Sequence, residues 1–233
     1  MRAGRSIPAE CVLTGRHRAA SLRGDTVPDR VLQSPNEKRE LLARGFTSEI
    51  HPWGEGRVLK LFHSWVPIER ARAECEITRT VHWAGLPAPD AFETIEHEGR
   101  AGIILERIDG VSMLERTQGR PWTLFAATRE LARLHGELHR CTLPPSLSLP
   151  TQRERLGTAI APQPDLPESE RLSAQRSLDQ LPDRDTLCHG DFHPENILYS
   201  ARGPIIIDWG TATRGRPLGD IANTCRLIRT AQL

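Results

Sequence analysis

The chain has 233 residues, of which 38% are hydrophobic and 26% charged, the profile of a soluble globular protein built as one large domain or as two small lobes sharing a cleft. Thirty-one basic residues against thirty acidic ones leave a formal charge of +1, which gives no support for a nucleic-acid or membrane partner. No run approaches the roughly eighteen apolar residues of a spanning helix, and the Arg-rich start lacks the apolar centre of a secretory signal. Five scattered cysteines without a C-x-x-C pair argue against a zinc site or a disulfide framework and fit a reducing cytoplasm.

Residues 1–35 mix Arg, Pro, Gly and Ser without periodicity and read as a mobile tail. Glu40 to Phe62 reads as strand, glycine-bearing turn and strand, ending in Arg57-Val58-Leu59-Lys60-Leu61-Phe62. A helix is expected from about Pro67 to Ala84, closed by Gly85 and Pro87. Residues 101–108 form a buried-strand run that Asp109-Gly110 breaks. The next helix runs roughly from Trp122 to Cys141, where Leu124, Ala127, Leu131, Leu134, Leu138 and Cys141 recur at spacings of three and four. Residues 142–170 are Pro-rich, with a short helix near Glu168–Leu178.

The chemistry concentrates between Leu187 and Asn223. Two short strands, 197–199 and 205–207, flank the turn composition Ser200-Ala201-Arg202-Gly203-Pro204. As an antiparallel hairpin this sets Asn196 just before one strand and Asp208 just after its partner, at one open end where strands lie roughly 5 Å apart. An amide oxygen and a carboxylate so placed can share a hard cation, magnesium with phosphate oxygens being the obvious candidate. Asp191, in the loop leading into the hairpin, is positioned to orient a hydroxyl nucleophile and accept its proton.

The block His189-Gly190-Asp191-Phe192-His193-Pro194-Glu195-Asn196, followed by Ile207-Asp208-Trp209-Gly210, resembles the aminoglycoside phosphotransferase and choline kinase-like family. The likeness runs from about Gly45 to Ile221. It implies an α+β, two-lobed protein-kinase-like fold: a small antiparallel-sheet N-lobe over 36–107 that binds the nucleotide, and a mainly helical catalytic C-lobe over 108–233. It also implies ATP (GTP being possible) and Mg2+ as cofactors, with Asp191 as catalytic base, Asn196 and Asp208 holding magnesium, Asp220 bracing the catalytic loop from the next helix, and His189 as a structural member of that loop.

The N-lobe lysine of such a fold is legible independently. Lys60 interrupts an apolar run, and a buried ammonium needs an anion beside it; ATP phosphates and a helix carboxylate would serve. At 100° per residue, Glu74 lies at the edge of the apolar face of the 67–84 helix while Glu76 points away, so Glu74 is the expected partner. Gly45 to Ile50 takes the position of a loop covering the nucleotide, with Ser48 as a phosphate contact, although an ordinary hairpin turn accounts for it equally well. By the resemblance, Ile103 to Ile108 is the strand and linker between lobes, where an adenine would bind backbone groups of about Glu106 to Ile108.

Other signals carry less. His135 and His139 lie four apart, but His139 drifts towards solvent and no third ligand attaches to the pair, so packing outweighs metal binding. His193 either approaches the transferring phosphate or packs the loop. The tryptophans are too scattered for a base-stacking platform and read as packing residues, and Cys188 as a buried thiol. Only eleven residues separate Asp208 from Asp220, and Gly190 replaces the arginine that reads a phosphorylated activation segment, so a small-molecule kinase is favoured over a protein kinase. A silent nucleotide-binding pseudokinase is disfavoured by Lys60, Glu74, Asp191, Asn196 and Asp208 occurring together. The acceptor, an aminoglycoside-like antibiotic or a metabolite, stays open, since six acids and three arginines over 165–185 are only a mild acidic tilt. Relatives continue through further helices beyond the counterpart of Leu233, which leads to the expectation of an acceptor pocket that is small, open or completed by another chain. Oligomeric state is not legible.

Overall fold

Apolar residues in β-rich runs build the first half of the chain. β1 (Ala43–Arg44), β2 (Ser48–Pro52) and β3 (Arg57–Phe62) are followed by α1 (Ile68–Trp83), β4 (Ala91–His97) and β5 (Arg100–Glu106). The five strands form one antiparallel sheet in the order β1-β2-β3-β5-β4. This computed structural model describes residues 40–161 and 166–230, all within the unit that begins at Lys38; the tail expected over 1–35 lies outside the described residues.

β3 explains why the sheet has two covered faces. Successive side chains alternate, so Leu59 and Leu61 pack with Ile104 on one side. Phe62 joins Ile103, Ala71 and Cys75 under α1 on the other. Each Leu, Ile or Phe among them gains about 1.5–3 kcal/mol on full burial. Three strands occupy 43–62 where strand, turn and strand were expected. β4 was not expected at all: it is an edge strand whose Glu93, Glu96 and His97 dilute its apolar alternation.

The second half is mainly helical. β6 (Gly110–Ser112) opens at the glycine expected to end structure, and α2 (Met113–Thr117), α3 (Leu124–Arg140), α4 (Gln152–Ile160) and α5 (Glu168–Gln180) follow. Then come β7 (Thr186–Cys188), β8 (Ile197–Ser200), β9 (Gly203–Ile206), β10 (Thr213–Gly215) and α6 (Pro217–Thr230). Small antiparallel sheets β6-β8-β9 and β10-β7 sit among the helices. Leu131, Leu134 and Leu138 of α3 bury against Leu187, Phe192, Ile197, Ile206 and Trp209. The stripe is shorter than its sequence period, because Leu124 is exposed.

α4 escaped the sequence reading, having no buried apolar residue. Its start is nonetheless encoded as a capping box: Thr151 accepts from the Glu154 backbone and Glu154 accepts from the Thr151 backbone. The tryptophans divide: Trp209 is fully buried, whereas Trp65, Trp83 and Trp122 are exposed and do not pack the core as expected. Among the described residues no helix is long and apolar enough to cross a membrane.

Candidate active site

The hairpin β8–β9 sets the first part of the site. Ile197 pairs with Ile206, and the Ile207 N–H donates to the Asn196 carbonyl at 2.9 Å, so Asn196 and Asp208 emerge side by side at its open end. Asp208 takes a left-handed conformation, φ 63° and ψ 64°. For a non-glycine residue this costs on the order of 1–3 kcal/mol and is concentrated at functional positions.

Lys60 spans the two halves of the molecule. Its Nζ donates to Glu74 Oε1 at 2.6 Å and to Asp208 Oδ1 at 2.9 Å. The side chains of Lys60 and Glu74 are almost fully buried, while that of Asp208 stays 43% exposed. Glu74 is the carboxylate that reaches the lysine and Glu76 is exposed, as the helical phase requires. Burial works against the Lys60 ammonium, but the Glu74 and Asp208 carboxylates outweigh it and hold its pKa above the usual lysine range. Burial likewise opposes ionisation of Asp208, and Lys60 overcomes it, keeping the carboxyl below its ordinary value. A Cβ at Gly210 would collide with the Glu74 carboxylate, so this glycine lets α1 approach the segment after Asp208.

Asp191 and Asn196 are tied together. Asn196 Nδ2 donates to the Asp191 carbonyl at 2.9 Å and lies 3.2 Å from Asp191 Oδ2. Its Oδ1 has no protein donor among the described residues, which fits an oxygen available to a hard cation beside Asp208. His193 Nε2 lies 3.1 Å from Asn196 Nδ2 and 3.6 Å from Asp191 Oδ2. The neighbouring His193 imidazole lowers the Asp191 pKa, and Asp191 raises that of His193. His193 therefore sits against Asp191 and Asn196.

The backbone of the loop after β7 is held from α6. Asp220 Oδ2 accepts from the His189 N–H at 2.9 Å and Oδ1 from the Gly190 N–H at 2.8 Å. His189 is fully buried; its Nδ1 accepts from the Asp191 N–H at 3.3 Å and its Nε2–H donates to the Ile207 carbonyl at 3.1 Å. These bonds assign the neutral Nε2–H tautomer, and burial lowers the His189 pKa accordingly.

The expectation for the α3 histidines needs correcting. His139 does not drift into solvent: its side chain is 9% exposed, and a third group does attach to the pair. His135 Nε2 and His139 Nε2 lie 3.0 and 3.1 Å from Asp220 Oδ2. The three groups are close enough to hold a metal ion. Asp220 already accepts four hydrogen bonds, however, so its carboxylate is satisfied as a brace. One signal pointed this way, since His135 sits among the buried leucines of α3, where a polar group must find a partner.

The remaining candidates line a cleft of about 400 Å3 together with Lys60, Glu74 and Asp208. Ser48 is at its wall, but in β2, paired with Phe62; the turn before it is tied by Gly45 N to Ser48 O at 2.8 Å. Glu106 has its carboxylate engaged by the Asp90 N–H and by Arg202, and its own N–H donates to Asp90 O. The Arg107 N–H donates to Gly56 O, whereas the Ile108 N–H has no backbone acceptor among the described residues. The sequence reading missed Arg155 on α4, which donates to the Thr211 carbonyl. α4 has no buried residue to mark it.

A sheet lobe and a helical lobe joined across this cleft define a kinase-like phosphotransferase fold. The chain belongs to the phosphotransferase enzyme family, whose model matches residues 43–233. No curated protein matches the sequence. Among solved structures, a thermostable mutant of the aminoglycoside phosphotransferase APH(4)-Ia is similar at 21% identity and TM-score 0.60, over 83% of this chain and 74% of the other. APH(3'')-Id from Streptomyces rimosus, in complex with ADP and streptomycin, is 21% identical at TM-score 0.55, over 78% and 75%. The amicoumacin kinase hAmiN, in complex with AMP-PNP, Ca2+ and its ligand, is 16% identical at TM-score 0.58, over 84% and 65%.

Proposed function

We propose that this chain transfers the terminal phosphate of ATP, with GTP as a possible substitute, to a hydroxyl of a small molecule. In this reading residues 36–107 form the nucleotide lobe and 108–233 the catalytic lobe. The observation that carries it is Lys60 bridging Glu74 and Asp208 across the cleft, beside the linked Asp191 and Asn196. Similar structures bind AMP-PNP, ADP and Ca2+, which supports a nucleotide and a divalent ion here.

Lys60, held charged and oriented by Glu74, would bind nucleotide phosphates. Asn196 Oδ1 and Asp208 would hold magnesium, which would neutralise phosphate charge during transfer. Ser48 would border the phosphates, and the Ile108 N–H with the Glu106 carbonyl would meet the adenine edge. Asp191, a carboxylate at neutral pH, would orient the acceptor hydroxyl and accept its proton. A weak base suffices because the transition state is loose and positioning dominates. His189 and Asp220 would keep the loop in shape.

The test is calorimetric titration with Mg2+ and AMP-PNP, alongside ADP release. Asp208→Ala is expected to abolish metal-dependent nucleotide binding. Asp191→Asn is expected to leave nucleotide affinity within about twofold and to lower kcat by about 100-fold or more. Unimpaired turnover in Asp191→Asn would refute the base assignment, and absence of nucleotide binding by the natural chain would refute the function.

A further inference from the structure

Asp220 is more crowded than a loop brace requires. Its Oδ1 accepts from the Gly190 N–H alone, at 2.8 Å. Its Oδ2 is met by the His189 N–H at 2.9 Å, by His135 Nε2 at 3.0 Å and by His139 Nε2 at 3.1 Å, three donors for two lone pairs. The two imidazoles stand one turn apart on one face of α3, with ring centroids separated by 4.3 Å. His135 also stacks on Phe192, which fixes its ring. Histidines at i and i+4 of a helix, joined by a carboxylate, are a zinc-binding donor set. All three ligand atoms lie within 4.8 Å of one another. Tetrahedral zinc with bonds of about 2.0–2.1 Å sets its ligand atoms roughly 3.3 Å apart, so Oδ2 and each nitrogen need to separate by only about 0.3 Å.

Thr224 is buried, yet its hydroxyl has no hydrogen-bond partner among the described residues. Thr78, Thr80, Thr158 and Thr230, also helical, donate to the carbonyl four residues earlier; Thr224 does not. It follows Asp220 by one turn of α6, on the same face, and helix side chains lean towards the N-terminus, so its hydroxyl lies on the Asp220 side. Leaving such a group unsatisfied costs about 1–3 kcal/mol, and a water on a bound metal would satisfy it. His139 in turn lines a polar cavity of about 210 Å3, with Cys141, Asp185, Thr186 and Arg214 on its wall, an entry path for an ion.

The geometry points to a structural zinc site formed by His135 Nε2, His139 Nε2 and Asp220 Oδ2, with a water beside Thr224 as fourth ligand. Without metal the same groups are the hydrogen-bonded brace. On binding, zinc takes the place of the two Nε2 hydrogens, which move to Nδ1, while the His189 and Gly190 N–H bonds to Asp220 stay. The ion joins α3, α6 and the loop after β7 without displacing that loop. Imidazole donors favour zinc over magnesium, so this site differs in chemistry from the oxygen pair of Asn196 and Asp208.

The full chain, stripped of metal with a chelator, is titrated with Co2+ as a spectroscopic stand-in and with Zn2+ in thermal unfolding. The visible absorption of tetrahedral Co2+ is expected to saturate at one equivalent and to be bleached by Zn2+. Tm is expected to rise by roughly 5 °C or more once Zn2+ exceeds its Kd about 100-fold, and Mg2+ is expected to give neither effect. His139→Gln is expected to abolish the absorption and to weaken Zn2+ binding by about 100-fold or more, and Thr224→Val, which removes only an outer partner, to weaken it about tenfold. Asp208→Ala is expected to leave the absorption unchanged, which separates this site from the nucleotide cleft. No tetrahedral Co2+ absorption, or absorption that survives in His139→Gln and disappears in Asp208→Ala, would overturn the inference. Thr224→Val breaks no side-chain hydrogen bond among the described residues, so it tests the site even if His139→Gln does not fold. Unchanged Zn2+ affinity in Thr224→Val would also overturn the inference.

Discussion

At the scale of single residues, the Lys60–Glu74 pair shows why a costly buried ion pair persists. Two charges leave water, and hydrophobic residues of similar volume would serve stability as well or better. The pair makes physical sense if the ammonium is there to meet phosphate. Lys60→Met alone leaves Glu74 buried without its partner and is expected to cost about 3–5 kcal/mol in urea unfolding. Lys60→Met combined with Glu74→Leu is expected to recover most of that loss while nucleotide binding stays absent. Retained AMP-PNP affinity in the double variant would contradict the assigned role of Lys60.

At the scale of elements, three segments distant in sequence are joined through one carboxylate. Asp220 of α6 links His135 and His139 of α3 to the backbone of the loop after β7. Burial opposes its ionisation, but the two imidazoles and the two backbone N–H groups hold its pKa well below the ordinary value. A depressed carboxylate pKa means that the unfolded chain binds the proton first in acid. The stabilisation is therefore complete above the ordinary aspartate pKa of about 3.9 and is lost as pH falls below it. Asp220→Asn is expected to reduce stability at neutral pH by about 2 kcal/mol or more and to flatten the decline between about pH 4 and 2. Urea midpoints across that range measure both, and an unchanged slope would show that other carboxylates carry the acid sensitivity.

At the scale of the whole molecule, Lys60–Asp208 and Glu106–Arg202 bridge the sheet and the helical part. A ligand in the cleft would add contacts to both sides and stabilise the folded state by mass action. Mg-AMP-PNP at about 100 times its Kd is expected to contribute about 2.7 kcal/mol, or roughly 5–10 °C in Tm for a chain of this size. Chelation of the metal with EDTA is expected to remove most of the shift, and a shift indifferent to EDTA would count against Asn196 and Asp208 as the metal's holders.

The sequence by itself determined the placement of the groups that are close in the chain. Asp191, Asn196 and Asp208 fall in one loop and hairpin, whose geometry follows from local turn composition. Lys60 announces itself because an ammonium in an apolar run needs an anion, and helical phase separates Glu74 from Glu76. Edge strand β4 and helix α4 were not legible, since neither carries a clear apolar period. Only the tertiary structure decided that His139 turns inward to Asp220, 81 residues away, and that Arg155 reaches Thr211 across 56 residues. A side chain's charge is written in its own residue, but its partner is set by which surfaces the packed core brings together.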